Sequence, residues 1–506
     1  MKKKKLYNSA KFDIFSIEDY HLRYADINVR KKWIKSNVNN IFFNKIKDML
    51  STLEDKSLKK KYHINEDTGG NNTWELMRNE KGVKFYRHNG TKNMILSQDI
   101  VLDMNTVKTR KNNNILVFGG YDEICNHITK PNILQANASF IVQDVDGKIL
   151  KSTGIILEEK GYDIHILNLS NPELSHCYNP FHYIHNEIEI LKMVNTIMVN
   201  TEGKIKNDVF LEKSENCLLC AICFYISKEY SYEKQNFDSV LEILNNTKNN
   251  NENTNLHYLM SKLKNKDQKH LAYKMYSAFK NICSEKNQKL VIDSCISRLN
   301  IFQLENIKKM TNKNTIDVEY VGEKPMAVFC ITDSKNARDN FLTPLFYTQI
   351  IETMFYNSDN KYCEMYGKIK SPIPVRFMFS DFARIGKIIK FDEYMAIMRL
   401  YNISFTICMD SINVLKKNYE KEQYPIIGNC DSIAYLSDKD NDTEEFMQKI
   451  IEPLELKKLN NSSCIITING IKPFYCKKYD YVKHPNFNKT GDYDNKLIYN
   501  IQKRLE

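Results

Sequence analysis

Residues 114–132 read NILVFGGYDEICNHITKPN, an apolar strand that runs into two glycines and then into a segment of helical character. A nucleotide-binding phosphate loop (P-loop) has this arrangement, and its GxxxxGK(S/T) sequence curls backbone N–H groups around the phosphates. Its lysine neutralises the phosphates and its hydroxyl group helps to hold Mg²⁺. Here no lysine follows Gly119 and Gly120 at that spacing, and Asp122 and Glu123 stand where phosphates would lie. The segment predicts a P-loop scaffold without its ordinary phosphate-binding residues.

The alternative is that this non-standard loop still binds a nucleotide. Gly119 and Gly120 remain, and the backbone N–H groups at the start of a helix form a general binding site for anions. We expect no cofactor, with ATP and Mg²⁺ as ligands only if the altered loop binds them through its backbone.

The composition is that of a folded protein, and at 506 residues and 42% hydrophobic content the chain can form one large core or roughly two to three domains. The net charge of +11 points to nucleic acid or an acidic membrane surface, or merely to a chain rich in lysine and asparagine. Thirteen cysteines, an odd number, predict a reducing compartment. The N-terminal run of lysines is either a weak contact with anionic lipid or a solvated tail. It consists of Lys2, Lys3, Lys4 and Lys5.

Short apolar segments alternate with amphipathic helical segments after residues 1–84, which are polar and basic. This alternation is typical of a doubly wound α/β sheet. It stops between residues 205 and 312, where every pattern is helical and an asparagine-rich stretch, 245–255, predicts a loop. We predict an α/β domain from residues 85–204 and 313–506, with an all-α domain inserted at 205–312. The predicted strands are 115–118, 139–143, 164–167, 327–331, 375–379, 405–409, 433–436 and 464–468.

A series of short motifs carries a family resemblance. They are 93–98 (NMILSQ), 113–120 (NNILVFGG), 130–132 (KPN), 137–144 (NASFIVQD), 147–154 (GKILKSTG), 157–162 (LEEKGY), 178–181 (YNPF), 194–197 (VNTI), 381–386 (DFARIG), 426–431 (IIGNCD) and 470–474 (GIKPF). In these motifs and their order the chain resembles the type IV coupling proteins, the TraG/TraD-type ATPases of conjugative DNA transfer, in the form found in Gram-positive integrative elements. The resemblance implies a RecA-like P-loop NTPase-type domain with an inserted all-α domain. It also implies assembly as a hexameric ring that couples ATP hydrolysis to the movement of relaxase-bound DNA.

The chain departs from the family at the residues of the ATP chemistry. The family's Walker B strand ends in Asp-Glu, whereas this chain has Ser380 and Asp381, so one acid would have to hold metal and also activate water. Asp410 stands at the family's sensor glutamine, and Asp146 replaces a lysine of its Asp-Pro-Lys-Gly motif. Arg399 stands where the family carries an arginine finger that acts on the neighbouring subunit's ATP.

We therefore predict a catalytically inactive coupling-protein homologue (a pseudo-ATPase) with an accessory or regulatory role. A second hypothesis is an active DNA-translocating ATPase with a non-standard P-loop, and a third is a DNA- or relaxase-binding module without motor activity. The predicted partners are an intact coupling-protein homologue, a relaxase or single-stranded DNA, within a ring. Because residues 1–84 lack the family's transmembrane anchor, we expect a cytoplasmic protein that reaches the inner face of the cell membrane through its partners.

Three other clusters have residue types that bind ligands. The run CLLCAIC at 217–223 has cysteines three residues apart, which suits a metal cluster but fits core packing on one helical face better. Lysines and aromatic residues interleave at 472–475 and 479–484, which suits either stacking on single-stranded DNA or packing of the last strand. The stretch 176–185 has four side chains of types that bind metals, His176, Cys177, His182 and His185. We nevertheless predict a structural role for this stretch, because it has a structural role in the family that the chain resembles.

Overall fold

The computed structural model describes residues 83–85, 93–201, 208–251, 254–333, 341–362, 370–437, 440–451, 456 and 459–505. Residues 1–82 lie outside this part, and with them nearly all of the predicted N-terminal region and its run of lysines. The strands of the described residues are β1 (Val83–Phe85), β2 (Asn93–Ile95), β3 (Ile100–Asp103), β4 (Ile115–Phe118), β5 (Ser139–Val145), β6 (Asp163–Asn168), β7 (Met326–Thr332), β8 (Val375–Phe379), β9 (Ile403–Met409), β10 (Ser432–Tyr435), β11 (Ser463–Ile468) and β12 (Phe474–Lys477).

Helices connect most of these strands. The α-helices of the described residues are Thr106–Thr109, Tyr121–Ile124, Lys130–Leu134, Lys148–Glu159, Glu187–Asn200, Val209–Glu229, Phe237–Lys248, Leu256–Lys266, Leu271–Ile282, Glu285–Arg298, Glu305–Thr311, Leu342–Asn357, Phe391–Met398, Asn413–Tyr419, Gln423–Gly428, Asn441–Gln448 and Gln502–Leu505.

The chain divides into two compact units. The first holds the described residues up to Ser139, together with Tyr356–Ser380 and Lys390–Phe487. Its main strands are ordered β12-β11-β10-β4-β9-β8, with β10, β4, β9 and β8 parallel and the last two strands of the chain antiparallel. A small antiparallel sheet, β1-β3-β2, belongs to the same unit. The strand that leads into the two glycines, β4, therefore lies between two parallel neighbours.

The second unit comprises Phe140–Phe355, Asp381–Ile389 and the described residues from Asn488 onward. Its strands are parallel in the order β5-β7-β6. Seven α-helices lie between β6 and β7 in the described part of this unit, from Glu187–Asn200 to Glu305–Thr311. The domain boundaries predicted from the sequence, at residues 84, 205 and 312, stay predictions.

Strand burial explains why the sequence pattern identified the central strands. Every residue of β4, β8 and β9 is buried. Parallel strands that are covered on both faces read as continuous apolar runs rather than as alternating ones. The β12 strand alternates between buried and exposed residues, which is typical of a sheet edge with one face in water.

The helical stretch differs from its prediction in one place. We predicted a loop from residue 245, whereas the helix Phe237–Lys248 continues through the first asparagines. Its N-cap Asn236 accepts a hydrogen bond from the Ser239 N–H group, and Ile243, Leu244 and Thr247 are buried. An apolar face of this kind outweighs the modest helix propensity of asparagine.

The cysteines of the run 217–223 lie on the helix Val209–Glu229. Cys220 and Cys223 are buried and Cys217 is half-buried. Burial raises the pKa of Cys220 to about 12 and that of Cys223 well above its ordinary value. Thiols in this state are neutral and pack as small apolar groups, as the core-packing interpretation predicts.

Candidate functional site

The predicted P-loop turn follows β4 in the first unit. A side-chain carbon added at Gly119 would lie 3.1 Å from Cβ of Leu436, the residue that directly follows β10. Because Leu436 approaches so closely, this position favours glycine. Gly120 is extended, with φ −70° and ψ 149°, and caps the helix Tyr121–Ile124. The helix continues through a π-helical segment, Cys125–Thr129, into Lys130–Leu134. The strand, the two glycines and the helix therefore follow one another as the sequence predicts.

The Glu123 side chain turns back onto the start of its own helix. The Gly120 N–H group donates to Glu123 Oε2 at 3.2 Å, and the Ser437 hydroxyl donates to the same oxygen. Lys478 Nζ donates to the other oxygen, Oε1, at 2.7 Å. The Lys478 side chain is 2% exposed and that of Glu123 is 31% exposed. A carboxylate and a buried ammonium group thus form an ion pair at the P-loop turn.

Neither Ser437 nor Lys478 was among the residues predicted from the sequence. The Leu436 N–H group donates to the Phe118 carbonyl oxygen at 2.8 Å, which continues the pairing of β10 with β4 and places Ser437 at the turn. The Lys478 N–H group donates to the Ser462 carbonyl oxygen at 2.9 Å, just beyond β12. Each residue belongs to a different strand end, so only the folded sheet brings them to Glu123.

Two opposing effects set the pKa of Glu123. Burial raises the pKa of this carboxyl, while the hydrogen bonds from Lys478 and Ser437 and the positive charge of Lys478 lower it. The net result is a pKa below the ordinary value of 4.5. Glu123 is therefore ionised at neutral pH.

We expect Glu123→Gln to lower the free energy of unfolding at pH 7 by about 1–2 kcal/mol, because it removes a charge-assisted pair that is half-buried. Since folding lowers the pKa of Glu123, its contribution is complete above a pH of about 4.5 and disappears as the pH falls through the folded-state pKa. Urea unfolding of the wild type and the variant from pH 7 down to about pH 3 measures this difference. A difference that stays constant across that range would contradict the ion pair.

Asp122, the other acid of this turn, is exposed on the surface of the helix Tyr121–Ile124. We predicted that both acids stand at the phosphate position, and that stays a prediction; in the structure only Glu123 turns back to the start of its helix, where it accepts the Gly120 N–H group. The reason is the helical period, because the third residue of a helix points back to the N-cap whereas the second points outward. Asp122 contributes charge near the turn without entering it.

The predicted Walker B position is the end of β8. In the first unit Ser380 is buried, and its hydroxyl lies 3.3 Å from the Thr129 hydroxyl. In the second unit the Asp381 carboxylate accepts a hydrogen bond from Arg384 Nε at 2.6 Å, and the Asp381 N–H group donates to the Gln143 side-chain oxygen at 2.6 Å. The one acid that remains of the family's pair thus has an arginine as its counter-ion.

The two other predicted site residues lie at element ends in the first unit. Arg399 is half-buried and begins a 3₁₀ turn after the helix Phe391–Met398. Asp410 directly follows β9 and is exposed. Their predicted roles, as an arginine finger and as a replacement for the sensor glutamine, stay predictions.

The Asp144–Gly147 turn has a structural role in the second unit. The Asp144 carboxylate is buried and accepts hydrogen bonds from the N–H groups of Ile149 at 2.9 Å and Leu150 at 2.8 Å. Asp146 and Gly147 are both left-handed, with φ of 58° and 70°. The turn therefore caps the helix Lys148–Glu159, with Asp146 where the resembling family has a lysine.

The histidines of the stretch 176–185 each have a partner within the protein. His176 Nδ1 accepts the Ile166 N–H group at 3.1 Å, and His185 Nδ1 lies 3.2 Å from Glu189 Oε2. His182 is hydrogen-bonded to the Tyr232 hydroxyl. No group of three or more histidine, cysteine, aspartate or glutamate side chains in the described residues is arranged to hold a metal ion.

The aromatic residues near the C-terminus divide between core and surface. Tyr479 and Tyr481 are buried, and Lys130 Nζ lies 5.4 Å from the centre of the Tyr481 ring. Tyr475 is 48% exposed, and its hydroxyl donates to Ser463 Oγ at 2.9 Å. Packing rather than base stacking accounts for the two buried tyrosines.

Comparisons with known proteins identify the family and the fold of this chain. The family model described as Type IV secretory system Conjugative DNA transfer matches residues 125–451. The bacterial conjugative coupling protein TrwBdeltaN70 in its unbound monoclinic form is 11% identical, with 81% of this chain and 92% of that chain covered and a TM-score of 0.58. The plasmid coupling protein TrwB in complex with the ATP analogue ADPNP is 12% identical, with 80% and 92% covered and a TM-score of 0.59. The TrwB complex with ADP and Mg²⁺ is also 12% identical, with 80% of this chain and 91% of that chain covered and a TM-score of 0.59. No curated protein matches the chain.

These comparisons confirm the predicted fold class, a RecA-like P-loop NTPase-type α/β fold with a helical domain. They also confirm the family resemblance. Within the described part of the chain, no helix combines the length and the apolar character needed to cross a bilayer. Since the family model spans more than half of the 506 residues, the chain belongs to the type IV secretory system family of conjugative DNA transfer.

Proposed function

We propose that this chain serves conjugative DNA transfer as a coupling-protein homologue that does not hydrolyse ATP and has an accessory or regulatory role. Its partners in that role are an intact coupling protein, a relaxase or single-stranded DNA. The observation that carries the proposal is the occupied P-loop turn, where the Glu123 carboxylate takes hydrogen bonds from Gly120, Ser437 and Lys478. In an active loop, backbone N–H groups and a lysine hold phosphate oxygens instead.

A carboxylate at this position opposes nucleotide binding in two ways. Like charges about 4 Å apart repel each other by about 4 kcal/mol at an effective dielectric constant near 20. Glu123 also neutralises Lys478, the buried cation of the turn. The residues present therefore do not fit a Mg²⁺–ATP group, although the fold is that of TrwB, which has been solved with ADP and Mg²⁺.

The Walker B position supports the same proposal. Phosphoryl transfer in this fold needs acidic groups that order Mg²⁺ and activate water. Asp381 is the one acid there, and Arg384 already neutralises it at 2.6 Å. Ser380, in the adjacent position, is buried and has a hydroxyl in place of a carboxylate.

We expect the purified wild-type chain to release no phosphate from ATP in a Mg²⁺-dependent manner, and Asp381→Ala to leave that background unchanged. A continuous phosphate-release assay with and without Mg²⁺ measures both. Steady release that requires Mg²⁺ and disappears in Asp381→Ala would instead support the alternative, an active ATPase with a non-standard loop.

We propose that Arg399 acts on the ATP of an active coupling protein in a mixed ring. The same phosphate-release assay tests this role. In a mixture with such a partner, Arg399→Ala should lower the partner's turnover by at least about tenfold, because arginine fingers stabilise transition-state charge strongly. Arg504→Ala is the control, since Arg504 forms an exposed ion pair with Glu158. If the partner hydrolysed ATP equally fast with both variants, Arg399 would not act as an arginine finger.

A further inference from the structure

A buried arginine lies in the central sheet of the first unit and has no carboxylate partner among the described residues. Arg376 is the second residue of β8 and is 1% exposed. Its Nη1 atom donates to the Asn132 side-chain oxygen at 3.0 Å. Its Nε and Nη2 atoms have no hydrogen-bond partner in the described part of the chain. Within those residues, the guanidinium group therefore has one bond to a neutral amide and two donor atoms without an acceptor.

Arg376 keeps its positive charge in this environment. Burial lowers the pKa of Arg376 to about 10, so the guanidinium group stays protonated at neutral pH. A buried charge without a counter-ion destabilises a protein strongly, and orphaned polar atoms in a core indicate an ion or water that satisfies them. By contrast, the buried Arg298 of the second unit has Glu215 as its counter-ion at 2.7 Å. The unpaired donors and the charge of Arg376 together indicate an anion.

The surroundings of Arg376 limit the size of that anion. Ser404 lies opposite Arg376 on β9 and is 6% exposed, and residues in register on adjacent strands point to the same face of a sheet. Asn132 is fully buried and is held in place, because it accepts the Ile95 N–H group at 2.9 Å and donates to the Ile95 carbonyl oxygen at 2.8 Å. An enclosed site of this kind excludes a nucleotide or a phosphate ester, and one guanidinium group balances a single negative charge.

We propose that Arg376 and Ser404 bind a small monovalent anion of the size of chloride in the core of the first unit. The donors are Arg376 Nε, Arg376 Nη2 and the Ser404 hydroxyl group, and hydrogen bonds from a charged donor to an anion are about twice as strong as neutral ones. The anion neutralises the arginine that joins β8, through Asn132, to the helix Lys130–Leu134. None of these donors belongs to the P-loop turn, so the anion site is independent of the proposed function.

The test is thermal unfolding of the full chain while potassium chloride replaces potassium gluconate at constant ionic strength. Gluconate has the same charge as chloride but is too large for an enclosed site. Arg376→Gln is the reference, because glutamine has no charge to neutralise and general effects of the two salts cancel in the comparison. Chloride should raise the melting temperature of the wild type by at least about 3 °C more than that of Arg376→Gln, since it binds the folded state alone.

Two serine variants locate the site. Ser404→Ala should reduce the rise that chloride gives the wild type, because it removes one donor. Ser432→Ala is the matched control and should keep the full rise. Ser432 is also buried in this sheet, and its hydroxyl also has no hydrogen-bond partner in the described residues, but it lies on β10, beyond β4 and β9.

An equal response of the wild type and Arg376→Gln to chloride would overturn the inference. Equal responses of Ser404→Ala and Ser432→Ala would contradict the assignment of Ser404. If Arg376→Gln does not fold, anomalous scattering from wild-type crystals soaked in sodium bromide replaces the comparison. A bromide peak within hydrogen-bond distance of Arg376 Nε or Nη2 supports the site, and the lack of such a peak contradicts it.

Discussion

Arg298→Met is expected to lower the free energy of unfolding by about 3–5 kcal/mol, the usual effect of removing one partner of a buried ion pair. In the second unit Arg298 Nε donates to Glu215 Oε2 at 2.7 Å, and the two side chains are 3% and 1% exposed. Arg298 Nη1 also donates to the Met198 carbonyl oxygen at 3.0 Å and to that of Thr201. Without the guanidinium group, the Glu215 carboxyl group stays buried and has lost its cationic partner.

Urea unfolding at pH 7 measures this effect. The matched control is Lys309→Met, which breaks the Lys309–Glu305 pair, with side chains that are 72% and 70% exposed. An exposed pair on one helix contributes only about 0–0.5 kcal/mol. If Arg298→Met cost no more than the control, the buried pair would not hold these helices together.

Gly386→Ala is expected to lower the free energy of unfolding by about 2–4 kcal/mol, because left-handed strain and a steric clash act together. Gly386 has φ +82°, and an added Cβ would lie 2.7 Å from Asn200 Oδ1 and 3.2 Å from Pro344 Cγ. The Asn200 side chain is fixed there, since it accepts the Lys387 N–H group at 2.7 Å and donates to the Lys387 carbonyl oxygen at 2.9 Å.

Gly161→Ala separates the two causes. Gly161 has φ +76° but no atom within 4 Å of its added Cβ, so its substitution adds only the strain of about 1–2 kcal/mol. Thermal or urea unfolding of both variants gives the comparison. Equal losses at the two positions would mean that the clash with Asn200 relaxes at no cost, which would contradict the fixed position of that side chain.

The central strands could be predicted from the sequence because each is covered on both faces. The predicted strands 115–118 and 375–379 coincide with β4 and β8. The edge strand β12 was not predicted from the sequence. Its four residues alternate between buried and exposed, so it has no continuous apolar run. The π-helical segment Cys125–Thr129 has no apolar period of its own that would distinguish it from an α-helix.

The candidate site was predictable only in part. The spacing of Gly119, Gly120 and Glu123 predicted an acid at this turn, because those residues are neighbours in sequence. Ser437 and Lys478 stand 314 and 355 residues from Glu123, and nothing in their local sequence distinguishes them from other serines and lysines. Their role follows from strand order, which brings the ends of distant strands to one turn.

We propose that the chain does not hydrolyse ATP because the Glu123–Lys478 ion pair fills its P-loop turn. Phosphate release from Mg²⁺–ATP by the purified wild-type chain tests it most directly. We predict no release above the protein-free background. Steady release by the wild type, abolished by Asp381→Ala, would contradict the claim.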